Sequence, residues 1–67
     1  MEFIEIDKNN LPDKEVLAMT ADYQFMRGFL CYDSEFEIIY CENDNCEVLD
    51  YVTHYYLMEK IFKGDKQ

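Results

Sequence analysis

The stretch Gln24-Phe25-Met26-Arg27-Gly28-Phe29-Leu30-Cys31-Tyr32, followed by Asp33-Ser34-Glu35 and then by Phe36-Glu37-Ile38-Ile39-Tyr40-Cys41, decides the fold. Its first part is the longest apolar run in the chain. Strand alternation places Phe25, Arg27, Phe29 and Cys31 on one face, and Met26, Gly28, Leu30 and Tyr32 on the other. A glycine inside such a run predicts a bulge or the close approach of another backbone at Gly28. Asp33-Ser34-Glu35 reads as a turn, and Phe36 to Cys41 as the returning strand. There Phe36, Ile38 and Tyr40 alternate with Glu37, Ile39 and Cys41, and the side bearing Glu37 is expected to face solvent. The unit is an antiparallel hairpin.

Strand signals continue on both sides of it. Phe3-Ile4-Glu5-Ile6-Asp7 is a short run of strand formers, broken by Lys8-Asn9-Asn10-Leu11-Pro12-Asp13. Glu15-Val16-Leu17-Ala18-Met19-Thr20 is six residues bounded by breakers, which favours a strand over a helix, and Ala21-Asp22-Tyr23 follows as a turn. Downstream, Glu42-Asn43-Asp44-Asn45 is a polar turn, Cys46 to Asp50 a short strand or an irregular connection, and Tyr51-Val52-Thr53-His54-Tyr55-Tyr56-Leu57 an aromatic and β-branched strand. Leu57, Met58, Ile61 and Phe62 fall at helical spacing before Gly64, so residues 58–67 read as a short helix or a basic tail. The expected architecture is mainly β: one domain, a small antiparallel meander of four or five strands.

The 67 residues carry fifteen acids against six bases, a net charge of −9, and 49% of them are apolar. That apolar share is too high for a disordered chain, and the charge argues against a nucleic-acid backbone or an anionic membrane as direct partner. No apolar run approaches the roughly 18 residues of a membrane span, and Met1 is followed by Glu2 instead of a basic segment, so a cytoplasmic location is expected. Three cysteines, an odd number, fit buried thiols in a reducing compartment better than a disulfide framework, with a Cys41–Cys46 bridge as the rival. The charge has a location. Between Arg27 and Lys60 there is no base, while Asp33, Glu35, Glu37, Glu42, Asp44, Glu47, Asp50 and Glu59 all fall there.

Catalytic and metal chemistry find little support. Cys41, Cys46 and His54 are spaced Cys-x4-Cys-x7-His, wider in the first pair than a structural zinc site commonly uses. A Cys–His nucleophile needs a third orienting group, an oxyanion hole and a pocket, for which a 67-residue sheet leaves little room. His54 reads instead as a strand-packed ring bonded to a backbone carbonyl or a neighbouring carboxylate. Glu35 and Glu37 have no opposing group across a cleft, Glu42-Asn43-Asp44-Asn45 lacks the glycine and terminal glutamate of a calcium loop, and two glycines make no phosphate loop. No enzyme activity, metal or cofactor is expected.

The order of short motifs carries a resemblance. Phe3-Ile4-Glu5-Ile6 opens the chain, Leu11-Pro12 and Val16-Leu17 follow, and Val52-Thr53-His54-Tyr55 closes it. This resembles a family of short phage and prophage proteins of unassigned function, whose members open Trp-Ile-x-Val and close Val-Thr-His-Trp-Met-Pro-Leu-Pro. Phe3 and Tyr55 stand where that family has tryptophan, and Tyr56-Leu57-Met58-Glu59 replaces its proline-rich close. The resemblance implies a small β-rich fold from a mobile element and assigns no functional residue.

Six tyrosines exceed what a core of this size buries with its hydroxyls satisfied, and tyrosine is enriched at interface hot spots. The expected function is therefore a small acidic interaction module that binds and modulates or inhibits a host protein with a basic surface. In its sharper form the target is a nucleic-acid-handling defence enzyme. The expected contact residues are Glu35, Glu37, Glu42, Asp44, Glu47 and Asp50, with Tyr40 and Tyr51 as aromatic anchors. The alternative is a self-associating accessory module, a homodimer without a host target.

Overall fold

Alternate residues of one strand, the apolar Val16 and Ala18 and the hydroxyl-bearing Thr20, are buried, and the core is arranged around that stripe. A computed structural model describes residues 2–58 as six strands: β1 (Ile4–Glu5), β2 (Val16–Thr20), β3 (Phe25–Asp33), β4 (Ile38–Glu42), β5 (Val48–Leu49) and β6 (Val52–Leu57). They form one antiparallel sheet in the order β1-β6-β2-β3-β4-β5. The meander expected from sequence is therefore present from β2 to β5, with β6 inserted between β1 and β2. The helix considered for residues 58–67 lies outside the described residues apart from Met58, which is buried.

β3 is the hinge of the sheet. Its first half, Phe25 to Gly28, pairs with β2, and its second half, Phe29 to Asp33, pairs with β4. The handover falls at Gly28. A Cβ there would sit 2.5 Å from the Glu42 carbonyl oxygen and 2.9 Å from the Cys41 sulfur. Only glycine lets β3 bend hard enough to curl the sheet and bring β4 against β6. The core enclosed by this curl is Val16, Ala18, Leu30, Ile39, Cys41 and Val52, with Ile6, Leu11, Met26, Leu49, Tyr55 and Leu57 packed around it. The Cys41 thiol donates to the Met26 carbonyl oxygen at 3.8 Å, and burial pushes its pKa up to about 11.

Three expectations are corrected. The returning strand begins at Ile38, because Glu37 has φ 56° and ends a four-residue turn, leaving Phe36 in that turn and 67% exposed. Consequently parity read through Glu37 fails: Ile39 and Cys41 face the core, and Ile38 and Tyr40 face outward. Buried-thiol packing describes Cys41 alone, since Cys31 is half-buried and Cys46 exposed, all three as free thiols. Among the described residues His54 meets neither a carbonyl nor a carboxylate with its ring; its Nδ1 lies 3.0 Å from the Thr53 hydroxyl.

The β2–β3 and β4–β5 hairpins use the same turn. In one, the Tyr23 amide donates to Thr20 and the Thr20 amide to Gln24; in the other, Cys46 donates to Asn43 and Asn43 to Glu47. Each has its fourth residue in the left-handed region, Tyr23 at φ 65° and Cys46 at φ 64°. This is the three-residue hairpin loop, a type I turn closed by a left-handed residue, a place usually given to glycine. The first residue of each turn supplies a second lock. Thr20 Oγ1 accepts the Gln24 amide at 3.1 Å, and Asn43 Oδ1 accepts the amides of Asn45 and Glu47 at 2.9 and 3.0 Å.

Candidate protein-interaction site

The acidic interval does not fold into one face. Glu35 and Glu37 sit in the β3–β4 turn, and Asp44 and Glu47 in the β4–β5 turn, at opposite ends of the five-residue β4. At about 3.3 Å per residue those ends stand some 15 Å apart. What the curl does bring together is Tyr40 and Glu42 of β4, Val48 of β5, Asp50 just beyond it and Asp33 at the end of β3. They line an open depression of about 310 Å³ on the outer face.

Each member is placed by register. Cys31 stands opposite Tyr40, Asp33 opposite Ile38, and Phe29, Glu42 and Val48 form one row across three strands. The Tyr40 ring stands across the ladder from Cys31. Its neighbour Cys31 first, then partial desolvation and the nearby Glu42 and Asp33 carboxylates, hold its pKa above the ordinary phenol value. Asp33 is committed to the turn, where its Oδ1 accepts the amides of Glu35 and Phe36 at 2.9 and 3.3 Å. The Glu42 and Asp50 carboxylates have no hydrogen-bonding or ionic partner among the described residues. The depression is thus a tyrosine ring bordered by two uncommitted carboxylates and a third that braces the turn, with no base in its lining.

A second depression of about 360 Å³ adjoins it through Asp50 and is lined by Thr20, Ala21, Asp22, Gln24, Tyr51 and Thr53. The Asp22 carboxylate accepts the Thr20 hydroxyl and the Gln24 side-chain amide, the latter at 3.0 Å. The Thr20 hydroxyl is the main reason its pKa lies below the usual aspartate value. Thr53 is the extra residue of a bulge in β6: Met19 pairs with His54 and Thr20 with Val52. Its hydroxyl donates to the Met19 carbonyl at 3.4 Å, and its own carbonyl accepts the Ile6 amide at 2.9 Å.

Of the eight contact residues expected from sequence, Tyr40, Glu42 and Asp50 share the first depression, and Asp50 and Tyr51 share the second. Glu35, Glu37, Asp44 and Glu47 do not join them. Asp22 and Cys31 were missed. Asp22 lies outside the base-free interval, and Cys31 becomes a neighbour of Tyr40 only through the cross-strand register.

Among the described residues no three histidine, cysteine, aspartate or glutamate side chains converge as a metal-binding group. No helix there is long and apolar enough to cross a membrane. Comparison with protein-family models, with curated proteins and with solved structures finds no significant match.

Proposed function

We propose that this chain is a small acidic interaction module that binds a protein with a basic surface through the outer face of β3, β4 and β5. The supporting observation is the depression around Tyr40, where an aromatic ring lies among Asp33, Glu42 and Asp50 with no base in its lining. Carboxylates in that setting steer a cationic surface into place, and tyrosine supplies rigid contact area at little entropic cost. The resemblance to phage and prophage proteins adds that the target is a host protein, and a nucleic-acid-handling defence enzyme offers the basic channel such a face complements.

Capture from host lysate followed by binding of the purified partner across ionic strength tests this. Glu42→Lys with Asp50→Lys abolishes binding, Glu35→Lys with Glu37→Lys leaves most of it, and affinity falls with added salt. A salt-independent affinity that survives Glu42→Lys with Asp50→Lys refutes the reading.

One observation favours self-association as a second reading. Phe25 and Phe29 are 52% and 45% exposed on the outward side of β3, and Phe25 belongs to an aromatic group with Phe3 and Tyr56 at ring separations of about 6 Å. Sedimentation separates the two: a monomer at micromolar concentration excludes a stable dimer.

A further inference from the structure

The outward side of the sheet carries an apolar half and an acidic half that meet at Phe29. Register sets the apolar half: Tyr56 stands opposite Leu17, and His54, Met19 and Phe25 form one row across β6, β2 and β3. The Phe3 ring joins them, 6.1 Å from the Phe25 ring and 5.9 Å from that of Tyr56. Phe29 follows on the same side of β3, some 13 Å from Phe25 at about 3.3 Å per residue.

The acidic half begins in the row Phe29, Glu42 and Val48 across β3, β4 and β5. There a carboxylate with no partner among the described residues lies between two exposed apolar side chains. Glu42 and Val48 share their depression with Asp33, Tyr40 and Asp50. Arg27 is the one lysine or arginine in the six strands. It also faces outward, and its Nε donates to Glu15 Oε2 at 3.0 Å, so its charge is already answered.

This combination selects among occupants. A second copy would bring a like face whose strand cation is held by its own Glu15, leaving Glu42 and Asp50 without a counter-charge. A uniformly polar cationic surface gains nothing from Phe25 and Phe29. Strand addition is poorly served, because the edge strands β1 and β5 are two residues each. An element that is apolar on one side and cationic along a flank satisfies both halves. In a helix, two turns span about 11 Å, close to the reach from Phe25 to Phe29, and residues beside the apolar stripe point sideways.

We propose that the outward face of β2, β3 and β4 is the docking surface for an amphipathic cationic helix of the partner protein, its apolar stripe on Phe25 and Phe29 and its cationic flank on Glu42 and Asp50. This rests on the reading of the acidic face as protein-binding, and it adds what the partner must present besides charge.

The test titrates the full chain, ¹⁵N-labelled, with peptides of about 14 residues, long enough for three to four helical turns. One has leucine at helical spacing and lysine elsewhere, the second has serine for each leucine, and the third has glutamate for each lysine. Amide shifts are expected at residues 17–19, 25–29 and 40–42 with the leucine–lysine peptide. That peptide binds about tenfold tighter than the serine–lysine one, and the glutamate peptide does not bind. Phe25→Ser with Phe29→Ser removes the tenfold advantage and leaves the serine–lysine affinity as it was. Phe29→Ser alone, which keeps the Phe3–Phe25 contact, removes part of it and serves if the pair does not fold. Equal binding of the two lysine peptides would overturn the proposal while leaving the acidic face as a binding surface. A micromolar dimer dissociated by Phe29→Ser would give the apolar half to a second copy and overturn it too. Binding of the glutamate peptide as tightly, or an absence of shifts with every peptide, would remove the helix site and the acidic face together.

Discussion

Replacing Gly28 by alanine is the most direct way to ask whether the bend in β3 makes the fold. The added methyl meets the Glu42 carbonyl oxygen at 2.5 Å, the Glu42 carbonyl carbon at 2.9 Å and the Cys41 sulfur at 2.9 Å. Two of the three obstacles are backbone atoms of β4, held by the β3–β4 ladder, so no side-chain rotation relieves them. Overpacking a closed core typically costs about 1–3 kcal/mol, and the immobility of β4 puts Gly28→Ala at the upper end. The reduced freedom of the unfolded chain returns about 0.4–1 kcal/mol, leaving a net loss of about 2 kcal/mol. For a domain of this size that lowers the melting temperature by about 8–16 °C. With no tryptophan and six tyrosines, far-ultraviolet circular dichroism and tyrosine fluorescence are the natural probes of the transition. The double variant Gly28→Ala with Cys41→Ala separates the obstacles, because it removes the sulfur and leaves the carbonyl. It should stay at least as unstable as Gly28→Ala alone, having also lost a buried side chain. Melting of Gly28→Ala within 2 °C or so of the parent, against the several degrees that even 1 kcal/mol produces, would show that β4 yields freely and that the bend is not fixed by glycine.

Three further outcomes follow from the surroundings of Cys41 and Asn43. Cys41 is neutral and inert in the folded protein, so a thiol reagent at pH 8 labels exposed Cys46 first and reaches Cys41 only on unfolding; early labelling of Cys41 would contradict its burial. Its folded pKa of about 11 lies above the ordinary thiol value of 9.0, so above pH 9 the unfolded chain loses a proton that the folded one keeps. Stability therefore falls as pH rises from about 9 to 11. Cys41→Ala flattens that slope, and an unchanged slope would place its origin elsewhere. Asn43→Ala deprives the Asn45 and Glu47 amides of their acceptor and costs about 1–2 kcal/mol in denaturant unfolding, with a loosened β4–β5 hairpin by amide exchange. A neutral result would mean that water replaces the Asn43 side chain fully.

The strands were legible because their period is two and their breakers are explicit. Val16, Ala18 and Thr20 alternate cleanly inward, and the polar groups at residues 21–24 and 43–47 fall where the hairpins turn. The error at Glu37 has a physical source: a glutamate in the left-handed region carries no signature in its chemistry, and one such residue ends the parity of a strand. The same reason hid the left-handed Tyr23 and Tyr51, since composition places no bulky residue at a positive φ. The acidic site was half legible. Proximity along the chain grouped Glu35 and Glu37 with Asp44 and Glu47, whereas the hairpin sends them to opposite ends. Sheet order was not legible at all, because β6 pairs with β2 and β1 through contacts distant in sequence.

That placement of β6 has a consequence for how the molecule assembles. Strands β2 to β5 follow one another through short turns and can zip locally, on the microsecond scale of hairpins. The ladder between β2 and β6 joins Thr20 to Val52, so its loop must close across the whole meander before any of its bonds form. Until then β2 presents a bare edge of backbone donors and acceptors, facing the space that β6 will fill. A second chain at high concentration supplies an identical β6 to that edge. Strand exchange between copies is thus the characteristic misassembly of this topology, and dilution during refolding is its remedy.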